Sequence, residues 1–302
     1  MKRSKLTLLA AVSAALLSTV VSAQELTGTL KKIKDSGTIT LGHRDSSIPF
    51  SYLDDKQQPI GYSMDLCNRI VDAVKAELKM PNLKVALQPV TSATRIPLIA
   101  NGTIDLECGS TTNNLDRQKQ VAFTMTHFVT ATRFVSKKAD NLKTLNDIKG
   151  KNIVSTSGTT SLKLVTEMNA SRNLGMNIIP GKDHAESFLT VDSGRAAAFV
   201  MDDILLASLV ANNAKPADFV ISNEFYSVEP YGIMLRKDDP TFKKVVDAAM
   251  TKIYKSGEIN AIYAKWFTSA IPPKGINLNL PMSDAFKKVV ANPIDSGDPA
   301  SY

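Results

Sequence analysis

The chain has 302 residues, of which 43% are hydrophobic, and a formal net charge of +7 at pH 7. Three of its 36 basic residues are Lys2, Arg3 and Lys5, so 33 basic residues face 29 acidic ones in the rest of the chain, a net charge of +4. This mild excess, without a basic run that contains interleaved aromatic residues, argues against nucleic acid as a partner. The composition is globular, and a mature length of about 280 residues predicts two domains.

The N-terminus is typical of a secretory signal. Basic residues precede an apolar stretch over residues 6–21, and Val21-Ser22-Ala23 has the small-residue spacing of a cleavage site. We therefore predict cleavage after Ala23. The alternative, a retained membrane anchor, would need a longer apolar run. We expect the mature protein to be exported and soluble.

Two cysteines, Cys67 and Cys108, are present in the chain. In an oxidising compartment a pair of cysteines is more often bridged than free. Two buried thiols are the alternative, because sequence spacing cannot fix the geometry of a bridge.

The first half of the chain alternates strands and helices. We predict a short helix over residues 26–34, strands over 38–42, 83–90 and 103–107, and helices over 61–79 and 93–101. Arg44 lies in the segment that follows the first strand, at the end of an open α/β sheet where ligands bind. Thr91 and Ser92 are predicted to cap the helix over residues 93–101.

Ser92 and Arg95 would lie at the N-terminus of that short helix. Free N–H groups and the helix dipole favour an anion there. An arginine in the first turn opposes the dipole, so a nearby negative group could offset it. A solvated helix residue is the alternative for Arg95.

Residues 109–117, GSTTNNLDR, follow a strand-like run. Hydroxyls such as those of Ser110 and Thr112, together with free backbone N–H groups, can hold a carboxylate. The guanidinium of Arg117 can clamp a carboxylate with two parallel hydrogen bonds. A solvated polar loop that ends in a surface arginine is the alternative interpretation.

The second half repeats the alternation after an extended run, residues 128–135, that could cross between domains. We predict strands over 152–156, 176–180, 196–201 and 218–221, with helices near 161–174, 185–193 and 204–211. This order indicates a mostly parallel sheet with covered faces. Residues 231–235 could cross back, helices over 241–256 and 258–267 follow, and a proline-rich tail over 271–302 contains one short helix near 284–290.

Two loops of the second half are candidate ligand sites. Residues 157–161, SGTTS, can cradle an oxyanion but lack the lysine of a phosphate loop, so a nucleotide is not expected. Asp202 ends a strand and places a carboxylate at the ligand edge of the sheet. An ordinary helix cap accounts for Asp202 equally well.

Five segments form an ordered set along the chain: residues 61–66 (GYSMDL), Arg95 with residues 102–105 (GTID), Thr112 to Arg117, residues 158–160 (GTT) and residues 263–267 (YAKWF). They match, in the same order, the pattern of the periplasmic solute-binding proteins of polar amino-acid ABC importers, and the chain resembles that family. None is specific alone, but the ordered set covers nearly all of the mature chain. The resemblance is closest to the glutamate/aspartate-binding members, which share Arg44, His184 and the long C-terminal tail.

The resemblance implies an α/β fold of the type II periplasmic binding protein class. Each of two lobes would be a mostly parallel sheet flanked by helices. Hinge strands near residues 127–133 and 227–231 would join the lobes, and the lobes would close on a ligand in the cleft. Lobe 1 would comprise residues 24–130 and 229–302, and lobe 2 residues 131–228, after removal of residues 1–23.

The resemblance also implies a ligand set. Arg117 would clamp the α-carboxylate with help from Thr112 and Thr160. Ser110 and Asp202 would hold the α-ammonium. The ligand's side chain would be read by Arg44, Ser92, Arg95 and His184.

Elementary electrostatics agrees with a dicarboxylic ligand, because each charge in a closed cleft must be paired or it costs several kcal/mol. His184 is predicted to start a helix, where a protonated imidazole is disfavoured unless an anion is close. A neutral surface histidine is the alternative for this residue.

The implied function is binding of L-glutamate or L-aspartate in the periplasm and delivery to the membrane permease of an ABC importer. The protein would act as a monomer without a cofactor, a metal or a catalytic residue. The alternative is a periplasmic, dehydratase-like enzyme, since dehydratases use the same fold. Against it, the sequence has no Gly-x-Ser-x-Gly or His-Glu-x-x-His motif, and His43, His127 and His184 are far apart. The extracellular part of a receptor would need a transmembrane segment, and the sequence does not rank glutamate against aspartate.

Overall fold

The computed structural model describes residues 26–302, so the predicted signal sequence and its cleavage after Ala23 lie outside the described residues. Over these residues, no helix combines the length and the apolar character needed to cross a bilayer.

Strands and helices alternate along the described chain. The strands are β1 (Thr38–His43), β2 (Ser46–Ser47), β3 (Ser51–Leu53), β4 (Pro59–Ile60), β5 (Lys84–Pro89), β6 (Leu106–Glu107), β7 (Val121–Phe123), β8 (Phe128–Thr130), β9 (Thr132–Lys137), β10 (Asn152–Thr156), β11 (Asn177–Gly181), β12 (Ala198–Asp202), β13 (Phe219–Ile221), β14 (Glu229–Tyr231) and β15 (Met234–Arg236). The α-helices are α1 (Gly28–Ser36), α2 (Tyr62–Leu78), α3 (Arg95–Ala100), α4 (Leu115–Gln118), α5 (Thr160–Ser171), α6 (His184–Asp192), α7 (Asp203–Asn212), α8 (Pro240–Lys255), α9 (Glu258–Tyr263) and α10 (Asp284–Ala291). Short 3₁₀ turns occur at Lys138–Asp140, Leu145–Ile148, Pro216–Asp218 and Pro299–Ser301, and a π-helical turn, Ala264–Thr268, extends α9.

The chain forms two five-stranded sheets with the same plan. The first has the order β5-β1-β6-β15-β7 and the second β11-β10-β12-β9-β13. In each sheet the first three strands are parallel, the fourth is antiparallel to both of its neighbours, and the fifth therefore runs with the first three. The prediction of two mostly parallel sheets flanked by helices is confirmed.

Two short strands join the sheets. β8 and β14 pair antiparallel, with Val129 opposite Pro230, and belong to neither five-stranded sheet. The chain passes from the first sheet through β8 into β9, and returns through β14 into β15, so the antiparallel strand of each sheet is the one entered directly after a crossing. These are the two hinge strands that the fold class requires.

The extended run predicted over residues 128–135 crosses between the sheets, but not as one strand. β-branched and aromatic residues dominate the run and favour extended backbone. The structure divides it at Ala131 into β8 and β9, which pair in different sheets. The sequence pattern predicts extended backbone, but it does not show that β8 and β9 pair with strands of different sheets.

An aromatic cluster packs against the hinge. Phe50 lies edge-on to Phe128 and Tyr231, with ring centroids 5.0 and 5.1 Å apart. Phe128 stacks on Phe267 at 4.9 Å, and the Tyr62 hydroxyl donates to the backbone carbonyl of His127 at 2.8 Å. Offset and edge-on aromatic pairs add to the free energy of burial. The hinge strands β8 and β14 therefore pack against the side chains of Phe50, Tyr62 and Phe267.

Helix α2 is fastened to the first sheet by a disulfide. Cys67 on α2 is bonded to Cys108, which directly follows β6, and both residues are fully buried. The predicted bridge is confirmed. It closes a loop with a sequence separation of 41 residues.

Replacing Cys67 and Cys108 together by alanine should lower the free energy of unfolding by about 2–4 kcal/mol, because the bridge restricts the unfolded chain. Urea unfolding of the purified mature protein measures this loss. Thiol labelling of the unfolded, unreduced wild type is the control, and two reactive thiols per chain would contradict the bridge.

Candidate site between the two sheets

The nine predicted ligand residues lie where parallel strands of both sheets end. Arg44 follows β1, Ser92 follows β5, and Ser110 follows β6. Thr160, His184 and Asp202 hold the corresponding positions after or at the end of β10, β11 and β12. All nine side chains are buried except that of Thr160, which is half-buried. The C-terminal edges of the two sheets thus face each other across one polar space.

Arg44, Ser92 and His184 are brought together from the two sheets. One guanidinium nitrogen of Arg44, Nη2, donates to Ser92 Oγ at 2.9 Å and lies 3.5 Å from His184 Nε2. The other ring nitrogen of His184, Nδ1, is 2.9 Å from Thr156 Oγ1. Three of the four residues assigned to the ligand's side chain therefore share one corner of the site.

His184 is a neutral, buried group. Burial, followed by the charges of Arg44 and Arg95, holds the pKa of the imidazole well below its usual range. The alternative of a surface position is wrong, because the side chain is buried. The side chain of Asp183 accepts from Glu186 N and caps α6, so His184 is free to face the space between the sheets.

Arg95, at the start of α3, forms an ion pair with Glu107 of strand β6 in the first sheet. Its Nη1 is 3.9 Å from Glu107 Oε1, donates to the carbonyl of Ser110 at 3.1 Å, and contacts Thr111 Oγ1 at 2.5 Å. Thr111 in turn donates to Glu107 Oε2 at 2.6 Å. Glu107 is fully buried and supplies the negative group that an arginine at a helix N-terminus requires.

The predicted cap of α3 is correct only in part. The helix begins at Arg95, with Thr94 at the N-cap position and no side-chain cap there. Thr91 Oγ1 accepts from Thr94 N at 3.2 Å, in the turn before the helix. Ser92 lies in the same turn, and its hydroxyl accepts from Arg44.

Arg117 connects the two sheets. Its Nη1 donates to the carbonyl of Thr112 at 2.9 Å, and its Nη2 donates to the carbonyl of Gly158 in the second half at 3.1 Å. Beside it, Thr112 Oγ1 and Thr160 Oγ1 are 3.4 Å apart. The three residues predicted to act on the α-carboxylate therefore meet at one place.

Asp202 does not cap α7. It occupies the N-cap position, but its side chain points to other partners. Oδ1 accepts from Thr132 Oγ1 at 3.2 Å and from Ser161 Oγ at 3.1 Å, and Oδ2 accepts from the Tyr231 hydroxyl. Burial, followed by the charge of Glu229, raises the pKa of Asp202 to about 7.

Burial and mutual repulsion lower the pKa values of two of the site's arginines. Desolvation, followed by the charge of Arg95, lowers the pKa of both Arg44 and Arg117 to about 10. All three guanidinium groups therefore stay charged near neutral pH. The side-chain partners of Arg44 and Arg117 are neutral: a hydroxyl, an imidazole and two carbonyl oxygens.

Three buried polar atoms of the predicted set are unpaired. Arg44 Nη1, Arg95 Nε and Ser110 Oγ have no hydrogen-bond partner within residues 26–302. A buried donor or acceptor without a partner destabilises the fold by about 1–3 kcal/mol. Groups retained at such positions are suited to meet a ligand.

Four further residues of the site were not predicted: Glu107, Thr111, Glu229 and Tyr231. Glu229 accepts from Thr160 Oγ1 at 2.9 Å, and Tyr231 donates to Asp202, so β14 is part of the site as well as of the hinge. Glu107 lies in a two-residue strand, which sequence pattern does not reveal as buried. The number of arginines near ligand-facing loops was the one sequence signal for such residues, because a buried guanidinium group needs a negative charge nearby.

No metal centre is formed by the described chain: residues 26–302 contain no group of three or more His, Cys, Asp or Glu side chains that could hold a metal ion. The site is built from guanidinium, hydroxyl, imidazole and carboxylate groups, which suits a small zwitterionic or anionic molecule.

Comparison with known proteins gives this architecture a family. Residues 39–269 match the bacterial extracellular solute-binding proteins, family 3. The chain belongs to this family. The match covers both sheets, both hinge strands and all nine predicted ligand residues.

Relatives within this family are similar over almost the whole chain. An L-glutamate/L-aspartate-binding protein of Pseudomonas aeruginosa is 59% identical over 286 residues, which cover 94% of this chain and 95% of the relative. A glutamate/aspartate import solute-binding protein of Escherichia coli is 48% identical over 285 residues, 94% of each chain. Both relatives are binding proteins, so the enzyme alternative is not favoured.

A solved structure agrees with the fold. An ancestral arginine-binding protein bound to arginine superimposes with a TM-score of 0.68 at 29% identity, over 76% of this chain and 98% of that protein.

The Arg95–Glu107 pair gives a stability prediction. Glu107→Gln should lower the free energy of unfolding by roughly 3 kcal/mol, because the buried Arg95 would lose its counter-charge. Urea unfolding measures the change, and Glu258→Gln is the control, since its ion pair with Arg69 is partly exposed and is expected to contribute less than about 1 kcal/mol. Equal effects of the two substitutions would contradict the pairing.

Proposed function

We propose that this protein binds L-glutamate or L-aspartate in the periplasm and delivers it to the membrane permease of an ABC importer. One observation carries the proposal: two buried guanidinium groups, those of Arg44 and Arg117, have only neutral hydrogen-bond partners, whereas Arg95 has Glu107. Two cations that form no ion pair with a carboxylate of the described residues match the two carboxylates of a dicarboxylic amino acid. The Pseudomonas aeruginosa and Escherichia coli relatives, which are glutamate/aspartate-binding proteins, support the same ligands.

The α-carboxylate is assigned to Arg117, Thr112 and Thr160. A guanidinium can hold a carboxylate through two parallel hydrogen bonds, and two hydroxyls lie beside it, 3.4 Å apart. Arg117 also reaches the carbonyl of Gly158 in the second half of the chain. A carboxylate bound there would contact both lobes at once.

The α-ammonium is assigned to Asp202 and Ser110. The carboxylate of Asp202 has hydroxyl groups as its hydrogen-bond partners, and Ser110 Oγ has no partner in the part of the chain that the structure describes. An ammonium group beside Asp202 would favour its ionised form, which burial alone disfavours.

The side-chain carboxylate is assigned to Arg44, Ser92, Arg95 and His184. Arg44 Nη1 and Arg95 Nε are the unpaired donors at this end of the site. The neutral imidazole of His184 can donate one hydrogen bond but adds no charge. Recognition of the second carboxylate therefore depends on the two guanidinium groups.

Delivery requires that the lobes open and close. We assign residues 24–130 and 229–302 to lobe 1 and residues 131–228 to lobe 2, on the support of sheet membership. The lobes touch through Arg44 and His184, Arg117 and Gly158, and an exposed ion pair of Asp116 with Lys163 at 2.9 Å. These contacts would break on opening, and a ligand that pairs with groups of both lobes would favour the closed form.

Export and oligomeric state complete the proposal. Residues 1–23 would direct export and be removed after Ala23, and the mature protein would act as a monomer. The disulfide within the first lobe supports an oxidising compartment such as the periplasm.

Variants of the arginines separate the two carboxylate sites. Arg117→Ala should weaken glutamate, aspartate and glutamine alike, by roughly thirtyfold or more, because all three share the α-carboxylate. Arg44→Ala should weaken glutamate and aspartate selectively and narrow their advantage over glutamine. Titration calorimetry of the mature protein with the three amino acids measures both effects.

Arg172→Ala is the matched control, because this arginine is exposed and lies at the C-terminal end of α5, opposite the end that carries Thr160. It should bind all three amino acids as the wild type does. Glutamine has the length of glutamate without its charge, and would leave a buried guanidinium unpaired. Wild-type protein that bound glutamine as tightly as glutamate would refute the dicarboxylate assignment.

A further inference from the structure

The C-terminal tail, residues 271–302, lies beyond the region that matches the family, yet its last part contacts the segment that carries Arg117. We propose that residues 295–297 of the tail position Arg117 for ligand binding by holding Asn113 and the start of α4. The inference rests on the proposed function, in which Arg117 binds the α-carboxylate.

Helix α4 needs support from outside. It has four residues, Leu115–Gln118, and a helix of this length is not stable alone in water. Its own stabilising contact is the N-cap, where Asn114 Oδ1 accepts from Arg117 N at 2.8 Å. The direction of the Arg117 side chain therefore depends on what α4 packs against.

The tail supplies hydrogen bonds at both ends of α4. The fully buried Asn113 donates through Nδ2 to the carbonyls of Asp295 at 2.9 Å and Ser296 at 3.3 Å. Gln118 Nε2 donates to the same Asp295 carbonyl at 3.0 Å and to Asn113 Oδ1 at 2.8 Å. One tail carbonyl thus ties the residue before the N-cap of α4 to the last residue of the helix.

Gly297 brings the tail backbone against the first turn of α4. A Cβ atom at this position would lie 2.8 Å from the carbonyl carbon of Asn114 and 2.8 Å from the backbone nitrogen of Leu115. Any side chain would push the tail and α4 apart. The close approach fixes the position of the turn from which Arg117 extends.

The tail is itself anchored on lobe 1 and next to the hinge. The carbonyl of Ile294 accepts from Thr126 N at 2.8 Å, and the Tyr302 hydroxyl is 2.6 Å from Thr126 Oγ1. Asn113 binds the tail through its side chain, and its backbone nitrogen donates to the carbonyl of Pro230 in hinge strand β14 at 2.7 Å. The tail, the Arg117 segment and the hinge strand therefore form one connected unit.

Two variants remove this support: a chain that ends at Ile294, and full-length Gly297→Val. Each should weaken glutamate and aspartate about tenfold, as expected when a distant contact biases a binding group. Asp295→Asn is the control. It removes the ion pair with Lys243 at 3.0 Å but keeps the carbonyl that binds Asn113, so affinity should stay within about twofold. Titration calorimetry measures all of these affinities.

A double-mutant cycle shows whether the tail acts through Arg117. Arg117→Lys keeps a positive charge but cannot form the bidentate fork. In that background, Gly297→Val should weaken glutamate by no more than about twofold, because there is no fork left to orient. An equal loss in both backgrounds, or wild-type affinity of both tail variants, would overturn the inference. Wild-type protein that failed to bind glutamate would instead refute the proposed function.

Discussion

A buried guanidinium group needs negative charge or well-placed acceptors nearby, or it destabilises the state that buries it. Three such groups, Arg44, Arg95 and Arg117, are buried where the two sheets face each other. Only Arg95 has a carboxylate at ion-pair distance among the described residues. The site therefore holds more buried cations than ion-paired carboxylates. A dicarboxylic ligand would supply the carboxylates that Arg44 and Arg117 lack at ion-pair distance.

The shared sheet plan places these groups. Parallel strands end at one edge of a sheet, and the loops after them carry the candidate ligand residues. Each sheet contributes three such strand ends, and the crossings through β8 and β14 turn the two edges toward each other. The hinge also contributes to the chemistry, since Glu229 and Tyr231 of β14 bond to Thr160 and Asp202. A change in the angle between the lobes therefore alters the hydrogen bonds of the site itself.

Local signals were sufficient for most of the fold. The alternation of strands and helices appears in the sequence, and the predicted strand over residues 152–156 matches β10 in full. Candidate ligand residues could be proposed because they follow strand ends, and because ordered segments resemble a known family. The disulfide was expected from export and from an even cysteine count, not from spacing.

Interactions between distant segments were not predictable. Glu107 looks like a surface residue in a short strand, and its partner Arg95 lies 12 residues earlier, so neither shows that the pair is buried. Asp202 has the local context of a helix cap, but its hydrogen bonds go to Thr132, Ser161 and Tyr231. A surface position was the alternative for His184, but the residue is buried, and burial lowers the pKa of its imidazole. In each case the outcome depends on which segments the fold brings together.

Solution scattering of the mature protein tests the central claim most directly. If charge pairing across the cleft closes the lobes, saturating glutamate should reduce the radius of gyration, whereas glutamine at the same concentration should not. The difference isolates one charge, because the two amino acids have the same length. An unchanged radius at saturation with glutamate, or an equal decrease with glutamine, would contradict the account.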